Sequence, residues 1–372
     1  MFIWILMLCV IFAICAGAAL YLMARVWRLG WLKGIKKTWA RLIGAAVVLL
    51  PAAALSFLWS PLNMVVCVLH LALFLLAADG ISALARRLRR RDFRRDWAGL
   101  AALLLCAAWL TSGWVNANHV WRTQYTIETD KPVGSLRVAL LSDSHMGTTF
   151  HADGFAGHLA DVQAQEPDVA VFVGDFTDES TTREDMAAAA KALGALKTPC
   201  GVYFVFGNHD KNNYEGEGRA YTGEELAAEL TKNGVVVLED EIVPIRDGFC
   251  LIGRQDASEE TENRGGRASM AELTRNLDES RFSIVLDHQP RDYVNQAASG
   301  VDLVLSGHTH GGQMIPLVQL IRWFHLGDDN VYGLQRRGNT DFIVSSGISD
   351  WELLFKTGCR SEYVIIDIQG KN

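Results

Sequence analysis

Clusters of Asp, Asn and His follow five short apolar runs in the second half of the chain. Runs of this kind, rich in β-branched residues, predict buried strands. Loops that leave parallel strands converge at one edge of a sheet, so we expect the five clusters to meet there. A core histidine or a turn aspartate would explain any one cluster, but five clusters at strand ends indicate a site. The clusters are Asp143-Ser144-His145, Gly174-Asp175, Gly207-Asn208-His209-Asp210, His288, and Gly307-His308-Thr309-His310.

The side chains in these clusters are typical ligands of divalent metal ions. Carboxylate and imidazole groups dominate and thiolates are absent, a set that suits manganese, iron or zinc. The ligands are too many for one ion, so we predict two ions roughly 3.5–4 Å apart. Such a pair clamps a phosphoryl group and activates the water that attacks it.

The ordered series of clusters resembles the calcineurin-like metallophosphoesterase superfamily. The segment GHTHGGQ at 307–313 resembles the membrane-anchored subgroup of that superfamily. The resemblance implies two sets of terminal ligands and one bridging carboxylate, which is Asp175. The first ion would be held by Asp143, His145 and His310, and the second by Asn208, His288 and His308.

The resemblance also implies a catalytic residue that is not a ligand. His209 would stabilise the transition state or protonate the leaving group, and Asp210 would orient its imidazole ring. This arrangement meets the need for a proton donor opposite the attacking water.

From residue 117 onward, strand-like runs alternate with amphipathic segments, which is typical of an α/β domain. We predict one such domain over 117–372, and the resemblance implies two packed mixed β-sheets flanked by helices. Predicted strands cover 136–142, 168–174, 201–207, 235–240, 249–254, 282–287, 301–307, 341–347 and 362–368. Predicted helices cover 153–165, 183–197, 222–232 and 269–278.

Residues 1–116 predict a membrane domain of four transmembrane helices. Four apolar runs are each about long enough to span a bilayer. They are Phe2–Ala24, Leu42–Trp59, Leu62–Ala85 and Ala98–Val115. Basic residues crowd the first and third connections, which predicts that both lie in the cytoplasm. The catalytic domain is then expected outside the cytoplasmic membrane, on a tether of about 20 residues between Val115 and Leu136.

Charge divides the chain at the same place. Residues 1–116 carry 13 Lys and Arg against three Asp, which leaves 22 of the 35 basic and 39 of the 42 acidic residues for the remainder. An acidic domain repels polyanions, so we expect no nucleic-acid substrate. Outside the clusters, we interpret Asp178, Asp256 and Asp328 as surface charges.

The apolar segment 317–326 is open to two interpretations. Its large side chains, Ile321, Trp323 and Phe324, could pack in the core or could form a wall that contacts lipid.

These features together predict a binuclear-metal phosphoesterase. The expected reaction is hydrolysis of a phosphodiester or pyrophosphate in an envelope or lipid-linked substrate, by attack of metal-bound hydroxide. One alternative is the same chemistry on phosphomonoesters or nucleotides. A second alternative is a membrane sensor or binding protein without turnover, which the complete set of predicted ligands disfavours.

Overall fold

The computed structural model describes residues 2–27, 32, 34–89, 97–211, 220–260, 266–316, 318–319, 323 and 327–371. The chain divides into two compact units, Met1–Gly113 and Trp114–Asn372.

Four helices lie in or begin in the first unit: α1 Phe2–Trp27, α2 Lys37–Leu58, α3 Pro61–Arg89 and α4 Trp97–Asn118. Among the described residues, three helices rather than the predicted four are long and apolar enough to cross a membrane. The described apolar part of α1, Phe12–Trp27, is shorter than the about 20 residues that a bilayer requires. Over the described residues, the prediction of four spans is therefore corrected to three.

The one acidic residue within α3 is paired with groups from α1. Asp79 forms an ion pair with Arg25 and accepts a hydrogen bond of 2.7 Å from the hydroxyl of Tyr21. Ionisable groups within apolar helices are stabilised by such partners. The pairing explains how a carboxylate is accommodated in α3.

The described part of the second unit contains two six-stranded sheets. The first sheet has the order β1-β12-β2-β3-β4-β5, and the second has the order β10-β11-β9-β8-β7-β6. Both sheets are mixed, which confirms that part of the predicted fold. The strands are β1 Trp121–Thr129, β2 Ser135–Leu141, β3 Val169–Val173, β4 Val202–Val205, β5 Val236–Val237, β6 Glu241–Arg246, β7 Phe249–Gly253, β8 Phe282–Leu286, β9 Leu303–Ser306, β10 Gly333–Arg337, β11 Thr340–Val344 and β12 Glu362–Gly370.

The two sheets pack face to face through their β-branched and leucine side chains. Leu140 and Val171 of the first sheet and Leu251 and Ile284 of the second belong to one fully buried cluster. Burial of each such side chain stabilises the fold by about 1.5–3 kcal/mol. This packing fixes the edge of the sandwich from which the site loops leave.

Helices cover the outer faces of the sandwich. α5 Ala152–Gln163, α6 Arg183–Gly194 and α7 Gly223–Lys232 pack on the first sheet, and the short α8 Met270–Leu273 and α9 Tyr293–Ala298 pack on the second. The starts of α6 and α7 are set by Thr182 and Thr222, whose hydroxyls accept hydrogen bonds from the backbone three residues on.

Several predicted elements differ from the structure. Strands β1, β6 and β10 were not predicted, the predicted strand 235–240 is a two-residue β5, and the predicted helix 269–278 ends after one turn. The predicted tether is also wrong, because β1 begins at Trp121 and pairs along its whole length with β12. The last turn of α4 bonds to the same unit: the backbone amide of Ser361 donates to the carbonyl of Asn116 at 2.8 Å.

Candidate metal centre

The five predicted clusters lie at one edge of the sandwich, each in the loop after a strand. Asp143 and His145 follow β2, Asp175 follows β3, and Asn208 and His209 follow β4 of the first sheet; His288 follows β8, and His308 and His310 follow β9 of the second. Because the two sheets contribute to one edge, ligands that are far apart in the chain come together.

The structure groups six of these side chains into two sets of three. Asp143, His145 and His310 form one set and Asp175, His288 and His308 form the other, and the ligand atoms within each set lie within 4.8 Å of one another. Both sets are buried or nearly so. This grouping is the spatial arrangement that two neighbouring cations require.

Asp175 lies between the two sets. Its Oδ2 atom is 3.0 Å from Nε2 of His288 in one set and 3.7 Å from Nε2 of His145 in the other. His145 and His310 bring their Nε2 atoms to 3.2 Å of each other. One carboxylate oxygen therefore faces ligands of both sets.

The backbone at the ligands is held in an uncommon conformation. Five of the predicted ligands have positive φ, a conformation that costs non-glycine residues about 1–3 kcal/mol. They are Asp143, His145, Asp175, His308 and His310, with φ of 54°, 35°, 53°, 71° and 47°. Strain that recurs at several members of one cluster indicates a functional constraint.

Glycines beside the ligands allow the loops to approach closely. A Cβ atom on Gly207 would lie 2.2 Å from Oδ1 of Asp175, and one on Gly174, whose φ is +75°, would lie 2.4 Å from Nδ1 of His288. Any side chain at these positions would displace a ligand.

Three histidines of the site each have one ring nitrogen that points away from the centre, and each of these nitrogens lies near an oxygen acceptor. Nδ1 of His288 contacts the carbonyl of Val173 at 2.8 Å, and Nδ1 of His145 lies 3.6 Å from Oδ2 of Asp178. Nδ1 of His310 lies 3.8 Å from Asp350. The contact at His288 has the length of a hydrogen bond, and such a bond fixes the tautomer and orientation of a metal-binding imidazole.

Asp178 was interpreted from the sequence as a surface charge, and that interpretation is wrong. Only 4 % of Asp178 is exposed, and its Oδ1 accepts hydrogen bonds from the amide and hydroxyl of Ser180. Asp256 is likewise buried, and its Oδ1 accepts a hydrogen bond of 2.8 Å from Gln289, the neighbour of His288. Asp328 is half-buried and pairs with the exposed Arg291 at 2.7 Å.

Within the apolar segment 317–326, Ile321 and Phe324 lie outside the described residues. Trp323 is exposed over 73 % of its surface, so core packing is the wrong interpretation for this residue. Trp351, exposed over 41 % of its surface, places its ring 5.5 Å from that of His209.

Burial and neighbouring charge set the protonation of the ligands. Burial would raise the pKa of Asp175, but the charge and hydrogen bond of His288 hold it well below its usual value. Burial, together with the charge of His288, lowers the pKa of His308 to about 3, and burial with His145 lowers the pKa of His310. Neutral imidazoles and an ionised carboxylate are the forms that bind metal.

His288 and Asp143 differ from the other ligands. Burial lowers the pKa of His288, but the charges of Asp175 and Asp143 outweigh it and hold the pKa well above the usual value. Burial raises the pKa of Asp143. A cation bound here would favour the deprotonated form of both, so metal binding is expected to release protons.

His209 lies beside the two sets without belonging to either. Its ring is 5.1 Å from that of His145, and its Nδ1 atom is 3.0 Å from Oε1 of Glu179. Asp210, which was predicted to orient His209, accepts hydrogen bonds from the amide and hydroxyl of Thr177 and from the amide of Gly207. The sequence analysis did not single out Glu179. The several acidic residues in the loop after β3 could have identified it as a candidate.

The donor set fits two divalent cations. In the described part of the chain, Oδ2 of Asp143 is buried and has no hydrogen-bond partner, while Oδ1 accepts the amide of His308 at 2.8 Å. A buried carboxylate oxygen without a partner is costly unless a cation satisfies it. Carboxylate and imidazole donors suit manganese, iron or zinc.

Comparison with known proteins finds similarity to one family over part of the chain. Residues 136–312 match the family model of the calcineurin-like phosphoesterases. The chain is 32 % identical over 270 residues to a transmembrane protein with metallophosphoesterase domain from Danio rerio, with 70 % of this chain and 60 % of that relative covered.

Bacterial relatives and solved structures are also similar. An uncharacterized metallophosphoesterase of Campylobacter jejuni is 31 % identical over 238 residues, covering 63 % of this chain and 60 % of the relative. The chain thus spans about 60 % of the length of these relatives. A dimetal phosphatase from Danio rerio is 14 % identical, with a TM-score of 0.36, over 58 % of this chain and 88 % of that one.

Proposed function

We propose that this protein is a membrane-anchored, two-metal phosphoesterase that hydrolyses a phosphodiester or pyrophosphate bond. The observation that carries the proposal is the position of Asp175 between two buried sets of ligands, 3.0 Å from His288 and 3.7 Å from His145. When bound, two divalent ions supply charge stabilisation for the phosphoryl group and a water of lowered pKa.

The residues of the chain take the following roles in the proposal. Asp143, His145 and His310 hold the first ion, and Asn208, His288 and His308 hold the second, with Asp175 shared. His209 gives a proton to the leaving oxygen, a role supported by its place beside the ligands and by its separate partner Glu179.

The aromatic neighbour of His209 supports a substrate with an organic leaving group. Trp351 presents a half-exposed aromatic face there, and an apolar wall favours a substrate that carries an apolar or planar group. The full-length protein should be assayed with manganese on matched phosphodiesters, pyrophosphates and phosphomonoesters. Preference for monoesters would support the alternative phosphatase, and absence of turnover on all three would support a sensor.

The membrane anchor and the basic connections support an extracytoplasmic catalytic domain. Arg86 and Arg87 precede the third connection, which is crowded with further arginines, and α4 then crosses toward the catalytic unit. Basic connections stay in the cytoplasm, so we propose that the end of α4 lies outside. This inference does not depend on whether α1 spans the membrane.

A cysteine at position 371 should react with a membrane-impermeant maleimide in intact cells. Lys371 has an exposed side chain near the end of the catalytic unit, so Lys371→Cys reports the side on which that unit lies. Arg87→Cys, exposed at the end of α3, is the matched control and should react only after lysis. The labelling of each variant is measured after subtraction of the labelling of the wild-type chain, which contains native cysteines. The reverse pattern would place the domain in the cytoplasm.

Lipid-linked substrates should be preferred when they share a membrane with the enzyme. Only His119 and Val120 separate α4 from β1, so the catalytic unit is confined to the region of its anchor. Confinement raises the effective concentration of a substrate in the same bilayer and not that of a soluble one. The excess of acidic residues after 116 disfavours nucleic acid further.

The measurement compares full-length protein in vesicles that contain a lipid-linked phosphodiester with protein-containing vesicles mixed with separate substrate vesicles. We expect turnover to be at least about tenfold faster in the first arrangement. A soluble diester of the same head group serves as the control and should be hydrolysed equally in both. Equal rates on the lipid in both arrangements, or rapid turnover of DNA or RNA, would contradict the preference.

A further inference from the structure

The loop that follows β3 carries three carboxylates, and each one meets a different histidine of the site. Asp175 contacts His288, Asp178 lies near Nδ1 of His145, and Glu179 contacts Nδ1 of His209. The three histidines come from three other loops. Residues 174–182 therefore form a segment that orients the imidazoles of the site.

The contact made by Glu179 differs from the other two. The side chain of His209 is 9 % exposed, whereas that of Glu179 is 48 % exposed, so the glutamate brings a solvated charge to the edge of a buried ring. The distance of 3.0 Å is that of a hydrogen bond from Nδ1–H to Oε1. Solvent keeps Glu179 ionised, and its hydrogen bond to His209 lowers its pKa further.

This contact occupies Nδ1 of His209. A proton held on Nδ1 by a carboxylate leaves Nε2 as the atom that can give or take the second proton. Asp210 accepts hydrogen bonds from the amides of Thr177 and Gly207 and so supports the loop backbone.

We propose that Glu179 is the positioning residue of His209: its contact with Nδ1 orients the ring. This inference rests on the proposed function. An attacking water forms the new phosphorus–oxygen bond and releases its proton to solvent as the bond to the leaving oxygen breaks. Nε2 of His209 gives its proton to that leaving oxygen, and His209 then regains a proton from solvent. Glu179 keeps its charge throughout and gives up no proton.

The test is the dependence of turnover on the leaving group in full-length Glu179→Gln. A proton donor matters for an alkoxide leaving group and little for p-nitrophenolate, which leaves without protonation. We expect kcat on an alkyl phosphodiester to fall about tenfold or more, and kcat on the p-nitrophenyl diester to fall less than about twofold. KM and bound metal should not change.

Two further variants separate positioning from a general effect of charge or folding. Glu184→Gln, exposed in the first turn of α6, removes the same charge and should leave both rates unchanged. In a His209→Ala background, Glu179→Gln should cause no further loss, because residues that act as a unit are not additive.

Three results would each overturn the role of Glu179. They are an equal fall in kcat on both esters, a further fall when Glu179→Gln is added to His209→Ala, and unchanged kcat values in Glu179→Gln alone. A wild-type protein that hydrolyses neither ester would instead overturn the proposed function. The two failures are thus distinguishable.

Discussion

Replacing Asp175 by Ala should abolish phosphoester hydrolysis and remove bound metal. Asp175 faces ligands of both sets, so its loss affects both ions rather than one. Residues that only hold a ligand in place already lower metal affinity or activity by about 10-fold to 100-fold when they are removed. Loss of a ligand shared by both ions should have a larger effect. Metal is measured by elemental analysis of purified full-length protein, which should fall from two ions per chain.

Asp161→Ala is the matched control, because Asp161 is an exposed carboxylate on α5 and contributes to neither set. It should retain two ions and full turnover. Exhaustive chelation of the wild-type protein should abolish activity, and added manganese should restore it. A fully active enzyme with one ion per chain, or activity that survives chelation, would sink the two-metal proposal.

Replacing His209 by Ala should lower turnover by about 100-fold or more while metal content stays nearly intact. General acids contribute about 100-fold to 10,000-fold to catalysis. The ring of His209 lies beside the ligand sets, and its Nδ1 is occupied by Glu179, so removing the ring leaves both sets complete. Turnover on an alkyl diester and elemental analysis of the same sample give the two readouts.

His151→Ala provides the comparison, since His151 is an exposed imidazole that pairs with Asp185 away from the site. It should change neither turnover nor metal content. If His209→Ala strips both ions, the residue is a ligand, and the proton donor must be another group.

The central strands of both sheets were predictable because they are buried on both faces. β3, β8 and β9 are continuous apolar runs, and their buried side chains form the interface between the sheets. Such runs are the sequence signature of strands covered on both faces. The polar residues directly after each run could therefore be assigned to loops from the order of residues alone.

The missed strands β1, β6 and β10 all lie at the edges of the sheets. Their side chains alternate between exposed and partly buried positions, so they contain Arg, Gln and Glu in place of an apolar run. Each is recognised by its hydrogen bonds to a neighbouring strand: β1 pairs with the distant β12, whereas β6 and β10 pair with the next strands, β7 and β11. Local pattern does not contain that information.

The types and order of the ligand residues were determined by the sequence alone, because a metal site requires particular donor atoms at strand ends. What surrounds the ligands was decided by the tertiary structure. Asp178 and Asp350 approach imidazoles, and Glu179 approaches His209, only because separate loops fold against one another. Asp350 follows β11 at the same edge and could have been sought by the strand-end rule. Burial then determines the role of each carboxylate. On the surface it is a solvated charge, whereas inside the site it orients a neighbouring imidazole.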